Sequence, residues 1–168
     1  MTSAKFRLGL PMISSAGHCP ACLAPSGTIC WGTGGERISR HNQMRNAIYN
    51  TAVEAGLAPI REGRALLPDT ARWPADILIP ALTGGRNAAL DVTVTHPLQV
   101  AARASASITP GHTMVITYEK KVRDAEELCR RDNFAFIPVV AESMGGLHPV
   151  AVEQLRRLER ALSVTDRH

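Results

Sequence analysis

An acidic residue sits inside an otherwise apolar, β-branched run at Ala88–Thr95 (AALDVTVT), and this feature constrains the chain most. The run reads as a strand, and a carboxylate within it needs a partner or a cation before it can leave water. A second apolar run, Asp76–Leu82 (DILIPAL), begins on another aspartate. The turn Thr83-Gly84-Gly85-Arg86 joins the two runs, which predicts a β-hairpin with both glycines in the turn. Fourteen residues separate Asp76 from Asp91. Neighbouring antiparallel strands bring such carboxylates together, and a pair of them makes a hard, all-oxygen environment suited to Mg²⁺. An aspartate that only caps a turn is the competing reading for Asp76.

The rest of the pattern fills in a mixed α/β domain. A helical stripe of Ile38, Met44, Ile48 and Ala52 predicts a helix from Ile38 to Ala55, closed by Gly56. A short strand is expected at Arg64–Leu67, a helical piece at Leu98–Ala106 and a main helix at His112–Arg131. Phe134–Val140 (FAFIPVV) reads as a buried strand. Val150–Leu162 reads as a closing helix with Val150, Leu155, Leu158 and Leu162 on one face. The expected order is α-β-β-β-α-β-α.

Residues 1–36 form a separate segment, rich in Gly, Pro, Ser and Cys and without periodicity; residues 37–168 form the domain proper. Gly32–Arg37 (GTGGER) reads as a flexible joint. Cys19, Cys22 and Cys30 crowd together there, and the Cys19-Pro20-Ala21-Cys22 pair has the spacing of a zinc knuckle. His41 or His18 would have to supply the fourth ligand. Small buried cysteines are the alternative. Cys129, alone on a helix, reads as core, and Trp31 and Trp73 as packing residues.

With 168 residues and 45% apolar content the chain can bury a core, and no apolar run is long enough to span a membrane. The start has no clean cleavage site, so a nuclear or cytoplasmic location is expected. A net charge of +4 permits nucleic-acid binding without requiring it. Aromatics at 4% leave little for a single-strand stacking platform.

Several blocks together carry a resemblance. They are the Cys-rich knuckle, Arg40-His41-Asn42 opening a helix, Pro74-Ala75-Asp76-Ile77-Leu78-Ile79-Pro80, and Ala89-Leu90-Asp91-Val92-Thr93-Val94 with Pro97-Leu98 beyond. A lysine-bearing helix and Phe136-Ile137-Pro138-Val139-Val140 with Glu142 and Gly145 follow. From about Arg7 to Leu162 the chain resembles the restriction-like, PD-(D/E)XK endonuclease domain of non-LTR retrotransposon reverse transcriptases. The resemblance implies an αβββαβ core, a mixed central sheet flanked by helices, with an N-terminal Cys-rich knuckle and a C-terminal helix. It also implies a Mg²⁺- or Mn²⁺-dependent endonuclease that nicks target DNA, carried as part of a larger reverse transcriptase protein.

The resemblance further implies roles for individual residues. Asp76 and Asp91 match the two metal-binding acids. The usual lysine position, two residues after the second acid, is Thr93 here. The family's migrated lysine matches Lys121, with Lys120 its neighbouring alternative and a DNA contact. Glu62 resembles the acid supplied ahead of the first strand, and Tyr118 a phosphate-placing residue. Arg61, Arg64, Arg72 and Arg86 would hold the DNA backbone without reading sequence. Knuckles of this family place a histidine shortly before the third cysteine, and Leu23 to Ile29 contains none; Trp73 resembles an insertion between Arg72 and Pro74. Glu142, Gly145 and Gly146 match the block after the last strand, where a tight turn but no catalytic role is expected. Without the resemblance, the mixed-sign run around Lys120 and Lys121 reads as a solvated helix face. A catalytically decayed nucleic-acid-binding module is the alternative function. A junction resolvase of the same fold and a non-functional remnant stand behind it.

Overall fold

The computed structural model describes residues 34–61, 75–97 and 101–165. The chain divides into two compact units, Met1–Asn42 and Gln43–His168. The cysteine knuckle, the strand expected at Arg64–Leu67, and Glu62, Arg64, Arg72, Trp31 and Trp73 lie outside the described residues.

Helix α1 spans Gly34–Glu54, β1 Ile60–Arg61, β2 Ile77–Thr83 and β3 Arg86–Thr95. Helix α2 spans Arg103–Ile108, α3 His112–Arg131, β4 Ala135–Glu142 and α4 Pro149–Thr165. The described strands form one open, mixed sheet in the order β1-β2-β3-β4. β1–β2 and β2–β3 pair antiparallel, whereas β3–β4 pair parallel through the α2–α3 crossover. A parallel neighbour requires such a crossover, because the chain must return to the starting edge.

The β2–β3 hairpin turns on Gly84 and Gly85, both at positive φ (58° and 78°) as the sequence predicts. Pro80 lacks an N–H for the ladder, and the register shifts between Ile79 and Thr83. Ala81 is driven to φ 54° there, and its amide donates to Asn87 Oδ1 at 3.2 Å.

Alternation along β3 splits its side chains between two cores. Ala88, Leu90 and Val92 pack with Ile77, Ile79, Ile137 and Val139 against Ile48, Ala52, Ala151 and Leu158 of α1 and α4. Ala89 packs on the opposite face with Ala75, Leu78 and Cys129, flanked by Phe134 and Phe136. Cys129 is core, as expected.

Three expectations need correction. The joint at Gly32–Arg37 is interrupted because α1 already begins at Gly34; each residue added to a formed helix gains a backbone hydrogen bond. Ile38 is 59% exposed rather than part of the apolar stripe. Ten residues from Ile48, it stands about 80° away around the helix at about 100° per residue. An edge strand, β1, occurs at Ile60–Arg61, where two exposed residues leave no periodic signal. No helix among the described residues is long and apolar enough to cross a membrane.

Candidate active site

Asp76 sits at a bend one residue before β2. Its amide donates to Leu90 O at 2.9 Å, and its Oδ2 accepts from Val92 N at 2.7 Å. Those two bonds bracket Asp91. The register Ile77↔Leu90, continued by one residue, also sets Asp76 across from Asp91. The side chain thus takes the β3 amide at a point where the backbone ladder is ending, which fixes the carboxylate beside the second acid. A charged acceptor makes this a stronger bond than a neutral ladder bond.

Asp91 shares the face of Ala89, the side covered by α3. Its Oδ2 lies 2.7 Å from Lys121 Nζ, with the aspartate side chain 15% exposed and the lysine 36%. This contact meets the need that the sequence sets for an acid within an apolar strand. Lys121 belongs to the half-buried stripe of α3, while Lys120, the next residue, is exposed. The two adjacent lysines, indistinguishable by composition, are therefore separated by helical phase.

The charge at Asp91 is felt further down the helix. Burial pushes the Cys129 thiol up to about 11, and the carboxylates of Asp132 and Asp91 add to the shift. In the other direction along α3, Tyr118 stacks on His148, with ring centroids 4.1 Å apart and planes 10° from parallel. His148 Nδ1 faces the Val150 amide at 3.3 Å, at the start of α4, and burial lowers the histidine's pKa. At the first turn of α3, Thr113 donates its hydroxyl to Glu142 Oε1.

Arg61, Arg86 and His41 are also among the described residues. Arg61 is exposed, with its guanidinium 4.0 Å over the Tyr49 ring, a cation–π pair. Arg86 is exposed at the hairpin turn. His41 lies with its Nδ1 3.4 Å from Asn42 Oδ1. Among the described residues no group of three or more His, Cys, Asp or Glu could hold a metal ion. The register, continued by one residue, sets Asp76 and Asp91 across from each other, and two such carboxylates are an oxygen donor set of the kind Mg²⁺ or Mn²⁺ accepts when water and substrate oxygens complete the shell. The zinc set Cys19, Cys22, Cys30 and His41 has only its histidine among the described residues.

Glu142, Thr113 and His148 gain their significance only in three dimensions. Glu142 carries a weak sequence signal, a charge closing an apolar strand; Thr113 carries none. Comparison of the sequence with protein-family models and with curated proteins finds no match.

Proposed function

We propose that the protein is a metal-dependent DNA endonuclease with a PD-(D/E)XK core. In this reading Asp76 and Asp91 hold the cation and Lys121 faces the scissile phosphate. One observation carries the reading: the 2.7 Å contact between Lys121 and Asp91, beside an Asp76 clamped onto the next residue of the same strand. The order of strands and helices, with three antiparallel-linked strands before a crossover to a parallel one, supports the core assignment.

The acids bind by their carboxylate oxygens, and Asp76 keeps its place through the Val92 amide. A bound divalent cation supplies polarisation of the phosphate and acidification of water. Lys121 offsets negative charge that builds on the phosphoryl oxygens. Without substrate the lysine neutralises Asp91, which keeps two neighbouring carboxylates from repelling each other. Lys120, Arg86 and Arg61 are exposed cations suited to backbone phosphates.

The test is nicking of supercoiled plasmid by purified protein with Mg²⁺ or Mn²⁺. The expected result is metal-dependent conversion to open circles, lost in Asp91→Ala and in Lys121→Met. Salt-dependent DNA binding without conversion at any metal concentration would replace the endonuclease with a binding module.

A further inference from the structure

Helix α3 has a fastening at its N-terminal end that the proposed chemistry does not itself use. Its N-cap, Gly111, has φ 79° and provides no side-chain acceptor. The carboxylate comes from another element: Glu142, the last residue of β4, accepts the hydroxyl of Thr113, which is only 1% exposed. A negative charge beside the first turn of a long helix is favoured by the helix dipole. The turn after β4 is itself tied, with Glu142 N donating to Gly146 O at 2.8 Å and Gly145 N to Glu142 O at 2.9 Å.

Space at this point is limited. A Cβ placed on Gly146 would stand 3.2 Å from Met114 Cε and 3.3 Å from Glu142 Oε2. One placed on Gly111 would stand 3.3 Å from the same methyl. Met114 thus fills a notch between two glycines. It lies seven residues before Lys121, which is two turns and about 10.5 Å along the same helix face.

We propose that Glu142, Thr113 and the Gly146 notch are positioning elements that set the axial register of α3 so that Lys121 reaches Asp91. A helix can slide along a sheet unless something along its length is keyed. The apolar contacts at Cys129 are non-directional, whereas the Thr113–Glu142 hydrogen bond and the filled notch are directional. The functional importance of this fastening rests on the endonuclease reading, but the placement of Lys121 can be measured without it.

The experiment is a double-mutant cycle between Lys121→Met and Asp91→Asn, read from urea unfolding of the full chain. It is repeated in Thr113→Val, Thr113→Ser and Gly146→Ala backgrounds. Overall destabilisation by the background change cancels within each cycle. A coupling of roughly 5- to 10-fold in the unfolding constant is expected in the native background, in keeping with a partly exposed ion pair. Thr113→Val should reduce it to below about 2-fold, and Thr113→Ser, which restores the donor, should bring it back. Should Thr113→Val fail to fold, Gly146→Ala decides; its Cβ presses on the end of a flexible methionine and on Glu142, and the coupling should fall there too. Full coupling in Thr113→Val, or in Gly146→Ala when that variant decides, overturns the proposal. A wild-type protein that cuts no DNA removes the endonuclease reading while leaving the coupling result intact. If it cuts, Thr113→Val should lower kcat more than it raises KM.

Discussion

Replacing Asp76 separates its hydrogen bond from the metal binding proposed for it, because alanine and asparagine remove different things. The Val92 amide that donates to Asp76 Oδ2 at 2.7 Å belongs to a residue only 2% exposed, in the middle of the main core. Asp76→Ala leaves that N–H without its acceptor. An unsatisfied buried donor costs about 1–3 kcal/mol, and loss of a bond to a charged acceptor falls in the upper part of that range. Asp76→Asn keeps a side-chain oxygen in the same place. Both changes also remove the same negative charge beside the Lys121–Asp91 pair, and that effect is common to the two. The difference between them isolates the hydrogen bond, and about 1–2 kcal/mol is expected, with alanine the less stable. For a chain of this size that corresponds to roughly 3–6 °C in Tm. Urea unfolding with a shared slope gives the free-energy difference directly. Nicking should fail in both variants by about 10²-fold or more, because cation stabilisation worth several kcal/mol is lost in each. Equal stability of the alanine and asparagine variants would refute the structural part. Wild-type nicking by the asparagine variant would refute the catalytic part.

Three further outcomes follow from the geometry. Lys120→Met should leave the stability effect of the Lys121–Asp91 pair unchanged and weaken DNA binding modestly, with a smaller slope in a salt titration; loss of the ion-pair coupling would show that the helical phase is misread. Cys129 should resist iodoacetamide at pH 8 in the native protein and react on unfolding, as peptide mapping by mass spectrometry can show. Its folded pKa of about 11 lies above the unfolded value near 9, so its contribution to stability is complete below about pH 9 and declines towards pH 11. His148 has the opposite sign: burial lowers its folded pKa, so stability is present above the unfolded value of about 6.5 and falls as pH drops below it. His148→Asn, which keeps a helix-start acceptor, should flatten that part of the pH–stability curve.

The hairpin was legible because its information is local: apolar alternation, two glycines and an acid out of place in a β-branched run. Lys121 was singled out only through motif resemblance, and its ion pair with Asp91 had no signal in the sequence. Nothing in EKKVRDAEE distinguishes the inward lysine from the outward one until the helix is set against the sheet. Helix phase could have excluded Ile38 from the apolar stripe, since its angular offset from Ile48 is a property of sequence spacing alone. Strand β1 was beyond reach for a different reason. Ile60 and Arg61 are both exposed, and what makes them a strand is the edge of β2 beside them. Thr113 and Glu142 show the same limit: their partnership is created by the crossover that returns the chain beside β3.

The proposed chemistry requires a divalent cation held by Asp76 and Asp91. Mn²⁺ titrated into isotope-labelled protein, with line broadening followed residue by residue, tests this most directly. Broadening should be steepest at the amides of Asp76, Asp91 and Val92, and should vanish in Asp91→Asn. Broadening centred elsewhere, or unchanged by that substitution, would contradict the account.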